Sequence, residues 1–299
     1  MKRKIILGMI TLLFIGSGAF VMLKVLATEQ KETDKHGFGI FSWNEEMMSE
    51  DEAQNLSVCL ERTNISTVYQ QFSEEMLLSE EASAEDFIDR MKKDNVQVYG
   101  LMGQAEWAYD RDGKNLIDNM DYIATYNEKQ AKDARIKGIL VDVEPYLLKE
   151  WDEGWEARAQ LMEGFLSGME HAYGYALKNQ LEFWVCIPTF YDSTNKDILE
   201  ALISRCCDGV AVMNYNRTDE YGQMAMEIGF AREYGKGIIC IYELQKPGRH
   251  SLEDINTYAN EGLDALWQSS ERLKRQFGYE RLGFAYHYYK PLKEMLGLE

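Results

Sequence analysis

Asp142 and Glu144 stand two residues apart at the end of the apolar run Ile136-Lys-Gly-Ile-Leu-Val141, just before Pro145. On a strand, side chains two apart point the same way. Two carboxylates in one pocket cannot both ionise easily, so one of them should keep its proton to a higher pH than usual. A carboxylic acid of that kind is what protonating a leaving-group oxygen requires. The plainer reading is an exposed strand end whose acids cap the next helix or pair with a lysine. A third carboxylate, Glu243, also ends an apolar run. If it faced Glu144 at about 5 Å, the two could act by direct displacement. The same residue could instead pair with Lys246 or Arg249.

The elements that must position these residues follow one repeating pattern. Short runs rich in Val, Ile, Tyr and Phe, as strands are, occupy residues 38–43, 67–72, 96–102, 136–143, 182–187, 209–213, 237–242 and 281–287. Amphipathic helical patterns lie between them at 51–62, 84–94, 116–134, 156–178, 196–205, 220–234 and 252–277. Ser83 and Asp86 resemble a capping box, Ser251 offers another helix start, and Asn95 and Gly235 stand where helices should stop. Strict alternation implies parallel strands joined by helical crossovers. Eight units predict an α/β fold, a single (β/α)8 TIM barrel, with residues 288–299 as a short last helix. The rival, a doubly wound sheet, usually carries a phosphate loop, and neither a GxGxxG nor a Walker sequence is present.

In such a barrel the chemistry sits at the C-terminal ends of the strands. The residues there are Trp43 after the first strand, and Gln104, Glu106 and Trp107 after the third. Asp142, Glu144 and Tyr146 follow the fourth strand, and Tyr191 and Asp192 the fifth. Met213, Asn214, Tyr215 and Asn216 end the sixth, Glu243 and Gln245 the seventh, and Tyr286, His287 and Tyr288 the eighth. Aromatic rings, amides and acids around one rim suit a sugar. Trp43 and Trp107 read equally as stacking platforms or as buried rim residues. Trp151 and Trp155 read as helix packing or as a lid, and Trp184 and Trp267 as core. His287 reads as a pocket residue or a structural strand histidine.

Two of these segments resemble motifs of the family 18 glycoside hydrolases, the chitinase-like barrels. Lys137-Gly138-Ile139-Leu140-Val141-Asp142-Val143-Glu144 is similar to the family's fourth-strand Asp-Gly-x-Asp-x-Asp-x-Glu, with Lys137 and Leu140 in place of its first two aspartates. Val212-Met213-Asn214-Tyr215-Asn216 resembles the sixth-strand Met-x-Tyr-Asp, with Asn216 in place of the Asp. The eighth strand, which carries a tryptophan in that family, has none here. The resemblance implies that Glu144 is general acid and then base. It implies that Asp142 steadies the substrate's own N-acetyl group as it attacks the anomeric carbon, and that Tyr215 bonds the acetamido oxygen. Trp43, Gln104, Trp107, Tyr146, Tyr191, Met213, Asn214, Asn216, Glu243, Tyr286 and Tyr288 are the expected substrate contacts. The missing motif aspartates leave a second reading open, a non-catalytic carbohydrate-binding barrel on the cell surface. Neither reading needs a cofactor or a metal, and no His-x-x-x-His set accompanies Asp142 as a metal-dependent deacetylase would require.

The ends and the bulk of the chain narrow the setting. Three basic residues precede an uncharged apolar run at 5–23, followed by Val25-Leu26-Ala27. This predicts a signal peptide or membrane anchor at 1–27, a linker at 28–36, and the barrel at 37–299. The protein is then extracellular, either secreted or held by residues 5–23 on the outer face of the membrane, with a polysaccharide or oligosaccharide as partner. With 32 basic and 50 acidic residues the net charge is −18, which repels nucleic acid and, unless a local basic patch intervenes, strongly anionic polymers. The five cysteines have no framework spacing. Cys186 and Cys240 read as buried small hydrophobes, and a disulfide from Cys59 stays open. The barrel is expected to be a monomer.

Overall fold

The computed structural model describes residues 37–79 and 83–298. The expected leader and linker therefore lie outside the described residues. Residues Phe38–Glu299 form one unit.

Eight parallel strands close in sequence order: β1 (Phe38–Ser42), β2 (Ile65–Gln71), β3 (Gln97–Met102), β4 (Gly138–Val141), β5 (Glu182–Pro188), β6 (Gly209–Met213), β7 (Gly237–Glu243) and β8 (Leu282–His287). A helix follows each strand, at Ala53–Thr63, Ser83–Lys93, Lys114–Lys129, Trp155–Lys178, Lys196–Arg205, Ala225–Tyr234, Gly262–Phe277 and Tyr289–Met295. This is the (β/α)8 barrel that the alternation predicts. Asn95 and Gly235 both adopt the left-handed conformation that ends a helix, with φ of 58° and 65°.

Two apolar layers follow from strand parity. One set of alternate residues, including Phe41, Tyr69, Tyr99, Leu101, Leu140, Cys186, Ala211, Ile239, Ile241 and Ala285, fills the barrel interior. The other set packs outward against the helices. The register keeps the interior rows aligned, with Phe41 opposite Tyr69, Leu101 opposite Leu140, and Ala285 opposite Gly39. All five cysteines are buried and free, Cys59 among them.

Three helices differ from the sequence reading. The pattern at 116–134 stops at Lys129. There the Asn127 side chain bonds both Ile136 N (2.9 Å) and Ile136 O (2.7 Å) and turns the chain into β4. The helix expected at 220–234 starts at Ala225, after a 3-10 turn at Gly222–Met224. The helix expected at 252–277 starts only at Gly262. Residues before it bond to strand ends instead. Asn256 Nδ2 donates to Tyr215 O (2.6 Å), while Tyr258 N and Thr257 Oγ1 donate to Glu243 O (2.9 and 3.1 Å). These tertiary bonds outweigh the local helical pattern and tie the ends of β6 and β7 together. Among the described residues no helix is long and apolar enough to cross a membrane.

Candidate active site

Strand parity carries upward from the packed interior into the mouth. The interior row of β4 runs Gly138, Leu140, and then beyond the strand Asp142 and Glu144. The same parity continues β6 into Met213 and Tyr215, β7 into Glu243, β8 into His287 and β1 into Trp43. Side chains from five strands therefore converge at the C-terminal end.

Asp142 is the electrostatic centre. Its carboxyl is pushed up to about 7 by burial first and by the charge of Glu144 second, while His287 and the Cys186 thiol pull it down. Its Oδ1 is buried and has no hydrogen-bond partner among the described residues. Asp142 thus keeps its proton to a higher pH than an ordinary carboxyl. Backbone packing fixes its position: a Cβ at Gly103, just past β3, would lie 1.9 Å from Asp142 O, so only glycine lets the two chains approach.

Around it stand hydroxyls. Tyr146 donates its hydroxyl to Glu144 Oε1, and the same hydroxyl lies 4.0 Å from Met213 Sδ. Burial, then Glu144, drives the Tyr146 phenol far above its ordinary range. Tyr191 is buried beside both acids with its hydroxyl unpartnered among the described residues. Tyr215 is likewise pushed up by burial, then by Glu243 and Asp142, and its hydroxyl makes no hydrogen bond among the described residues. Phe190 packs edge-on against Tyr146 (5.2 Å between ring centres) and against Tyr191 (5.7 Å).

Glu243 does not stand free. It is 3% exposed. Its Oε1 accepts from the backbone of Leu244 (2.9 Å) and Gln245 (2.7 Å), and its Oε2 from Gln245 Nε2 (3.3 Å). His287 Nδ1 is 2.8 Å from Oε2, and Trp43 Nε1 donates to His287 Nε2 at 3.4 Å. With the Trp43 N–H directed at Nε2, it is Nδ1 of His287 that faces Glu243. The partner of Glu243 is His287, not Lys246 or Arg249; Lys246 instead lies 3.5 Å from Glu294.

Five of the expected residues lie elsewhere. Tyr286 has the opposite parity to His287 and faces the outer layer, where it donates to Thr63 O (3.1 Å), accepts from Trp267 Nε1 (2.8 Å) and stacks on Phe38. Asn214 also points outward, donating to Glu220 O (2.9 Å) and lying 3.5 Å from Cys240 Sγ. Asn216 spends its Oδ1 on a local turn, accepting from Thr218 N and Oγ1. Trp107 packs against the outer layer, and Gln104 is exposed on the β3 loop. Tyr288 stays at the rim, its ring 5.2 Å from that of His287. Trp151 packs among Tyr146, Phe190 and Tyr191 with Arg158 over its ring, whereas Trp155 is 77% exposed. Parity could have separated these groups from the sequence: 142, 144, 213, 215, 243 and 287 share the interior row, and 214 and 286 do not.

No protein-family model matches the chain, and no curated relative matches it in sequence. Solved structures do match in shape. A chitinase from Chromobacterium violaceum aligns at 12% identity over 87% of this chain and 98% of its own, with a TM-score of 0.51. The C-terminal domain of a putative chitinase from Desulfitobacterium hafniense aligns at 10% identity, over 87% and 99%, with a TM-score of 0.53. A putative alpha-L-fucosidase from Bacteroides thetaiotaomicron aligns at 10% identity, over 88% and 95%, with a TM-score of 0.56. The likeness is one of fold. It spans nearly the whole of each neighbour, so this barrel has the extent of theirs.

Proposed function

We propose that the protein is a glycoside hydrolase that cleaves an extracellular polysaccharide containing N-acetylhexosamine. The observation that carries this reading is the Asp142–Glu144 pair, aimed into the barrel mouth with one carboxyl pushed up to about 7 and one buried oxygen unpartnered. Two of the structural neighbours named above are described as a chitinase and a putative chitinase, which supports the same class.

Glu144 is the general acid, steadied by the Tyr146 hydroxyl. The proton held on Asp142 passes to Glu144, which delivers it to the leaving oxygen. The acetamido oxygen attacks the anomeric carbon, and Asp142, now ionised, accepts from the acetamido N–H as that group gains positive charge. The free Tyr215 hydroxyl donates to the acetamido oxygen. Glu144 then takes a proton from the water that opens the intermediate. General acid–base assistance of this kind contributes about 10²–10⁴-fold. Direct displacement by Glu243 is disfavoured, because its two oxygens are already engaged by two backbone N–H groups, Gln245 and His287.

The deciding measurement is turnover of soluble N-acetylglucosamine oligomers by the protein beside its Glu144→Gln variant. Release of shorter sugars by the wild type alone supports the assignment. Binding without release from either supports a carbohydrate-binding barrel, the reading favoured by Leu140, which sits in the apolar interior below Asp142 where the motif has a carboxylate. Export through residues 1–27, placement on the outer face of the membrane, and a monomeric state belong to the same proposal.

A further inference from the structure

The segments after β7 and β8 enclose a second pocket, of about 210 Å³. Gln245, Lys246, Arg249, Tyr288, Lys290 and Glu294 line it, three cations to one acid. That inverts the balance of a chain with 32 basic and 50 acidic residues. Lys246 is partly offset by Glu294 at 3.5 Å, an exposed pair of little strength. The Arg249 guanidinium and the Lys290 ammonium have no hydrogen-bond or ion-pair partner among the described residues. The loop that presents Arg249 is closed by Gly248 N to Leu252 O (2.8 Å) and Leu252 N to Arg249 O (2.9 Å). Its next two residues, His250 and Ser251, both hold positive φ, 49° and 61°, a conformation that costs energy in non-glycine residues.

This pocket shares a wall with the site. Gln245 donates to Glu243, which holds His287, and Tyr288 follows His287 in the chain with its ring against the imidazole. Two unpaired cations beside a sugar-cleaving centre select for an anion on the substrate. A guanidinium fork matches a planar carboxylate in particular. We propose that the pocket is a subsite for a carboxylate-bearing sugar unit, adjacent to the unit cleaved at Glu144. The assignment deepens the hydrolase reading and rests on it for the word adjacent, whereas the anion preference itself is read from binding alone.

The test uses the full chain carrying Glu144→Gln, so that nothing is turned over. Tryptophan fluorescence titrations compare an N-acetylglucosamine hexamer with the same hexamer oxidised to carboxylate at C6. The oxidised hexamer should bind about tenfold tighter at low salt, and the advantage should fade as salt rises. The double change Arg249→Gln and Lys290→Gln should erase the advantage and leave the neutral hexamer's affinity unchanged. Equal affinity for the two hexamers overturns the proposal, as does an advantage that survives the double change or a failure of both to bind. If only the oxidised hexamer binds, and loses binding with the double change, the subsite stands and a neutral N-acetylglucosamine polymer falls as the substrate.

Discussion

Replacing Asp142 with asparagine should stabilise the fold at pH 8 and leave it unchanged near pH 4. The folded protein holds this carboxyl at about 7 against an ordinary value of 3.8, chiefly by burial and then by the charge of Glu144. Below 3.8 the group is protonated folded or unfolded, and its burial carries no charge penalty. As pH rises, the unfolded chain releases the proton while the folded protein keeps it, so folding stability is lost progressively until the folded value is passed. A shift of about three units at 1.36 kcal/mol each sets an upper limit of about 4 kcal/mol above pH 7. The side chain is half-buried at the barrel mouth, so water and relaxation should trim the measured effect to about 2 kcal/mol. Asparagine keeps the shape and removes the charge. Urea unfolding of wild type and Asp142→Asn, followed by far-UV circular dichroism at pH 4, 5, 6, 7 and 8, gives the difference directly. The gap should open between pH 4 and 7 and then level off. A gap of constant size across that range would refute the reasoning, because it would mean that Asp142 titrates alike in both states.

Other changes probe other parts of the argument. Tyr215→Phe removes a hydroxyl with no hydrogen-bond partner among the described residues, so the unfolding midpoint should hold while kcat on N-acetylglucosamine oligomers falls about 10²-fold. Gly103→Ala puts a Cβ 1.9 Å from Asp142 O, and should destabilise the barrel by about 1–3 kcal/mol and lower kcat through the displaced carboxyl, measured by urea unfolding and initial rates. Glu227, on the helix Ala225–Tyr234, is pushed up to about 8 by burial, with both oxygens unpartnered among the described residues. A raised acid loses stability as pH rises toward its folded value, so Glu227→Gln should gain stability over wild type above pH 8 and none near pH 4.

The barrel was legible because its signals are local and repeat. Each strand is a short β-branched and aromatic run, and each lies within two or three residues of its expected bounds. Structure and local pattern part where long-range bonds compete with helical spacing. Residues 252–261 carry helical spacing, yet Asn256, Thr257 and Tyr258 are bonded to Tyr215 and Glu243. Within the candidate site, the carboxylate pair announced itself by its two-residue spacing. Tyr286 and Asn214 are also polar residues at strand ends, but they have the opposite parity and face the outer layer.

By itself, then, the sequence determined the number of repeating units, the strand ends that bear acids, and the side to which alternate residues point, since all of these are periodicities along one chain. Only the tertiary structure decided that Asp142 is pushed up, because burial and charge proximity act through space. It alone joined Glu243 to His287, 44 residues apart, and set Gly103 against Asp142. It also gathered Arg249, from the loop after β7, and Lys290, from the helix after β8, into one basic pocket on an acidic protein. Charges so far apart in sequence have no shared pattern to read until barrel closure brings β7 and β8 side by side.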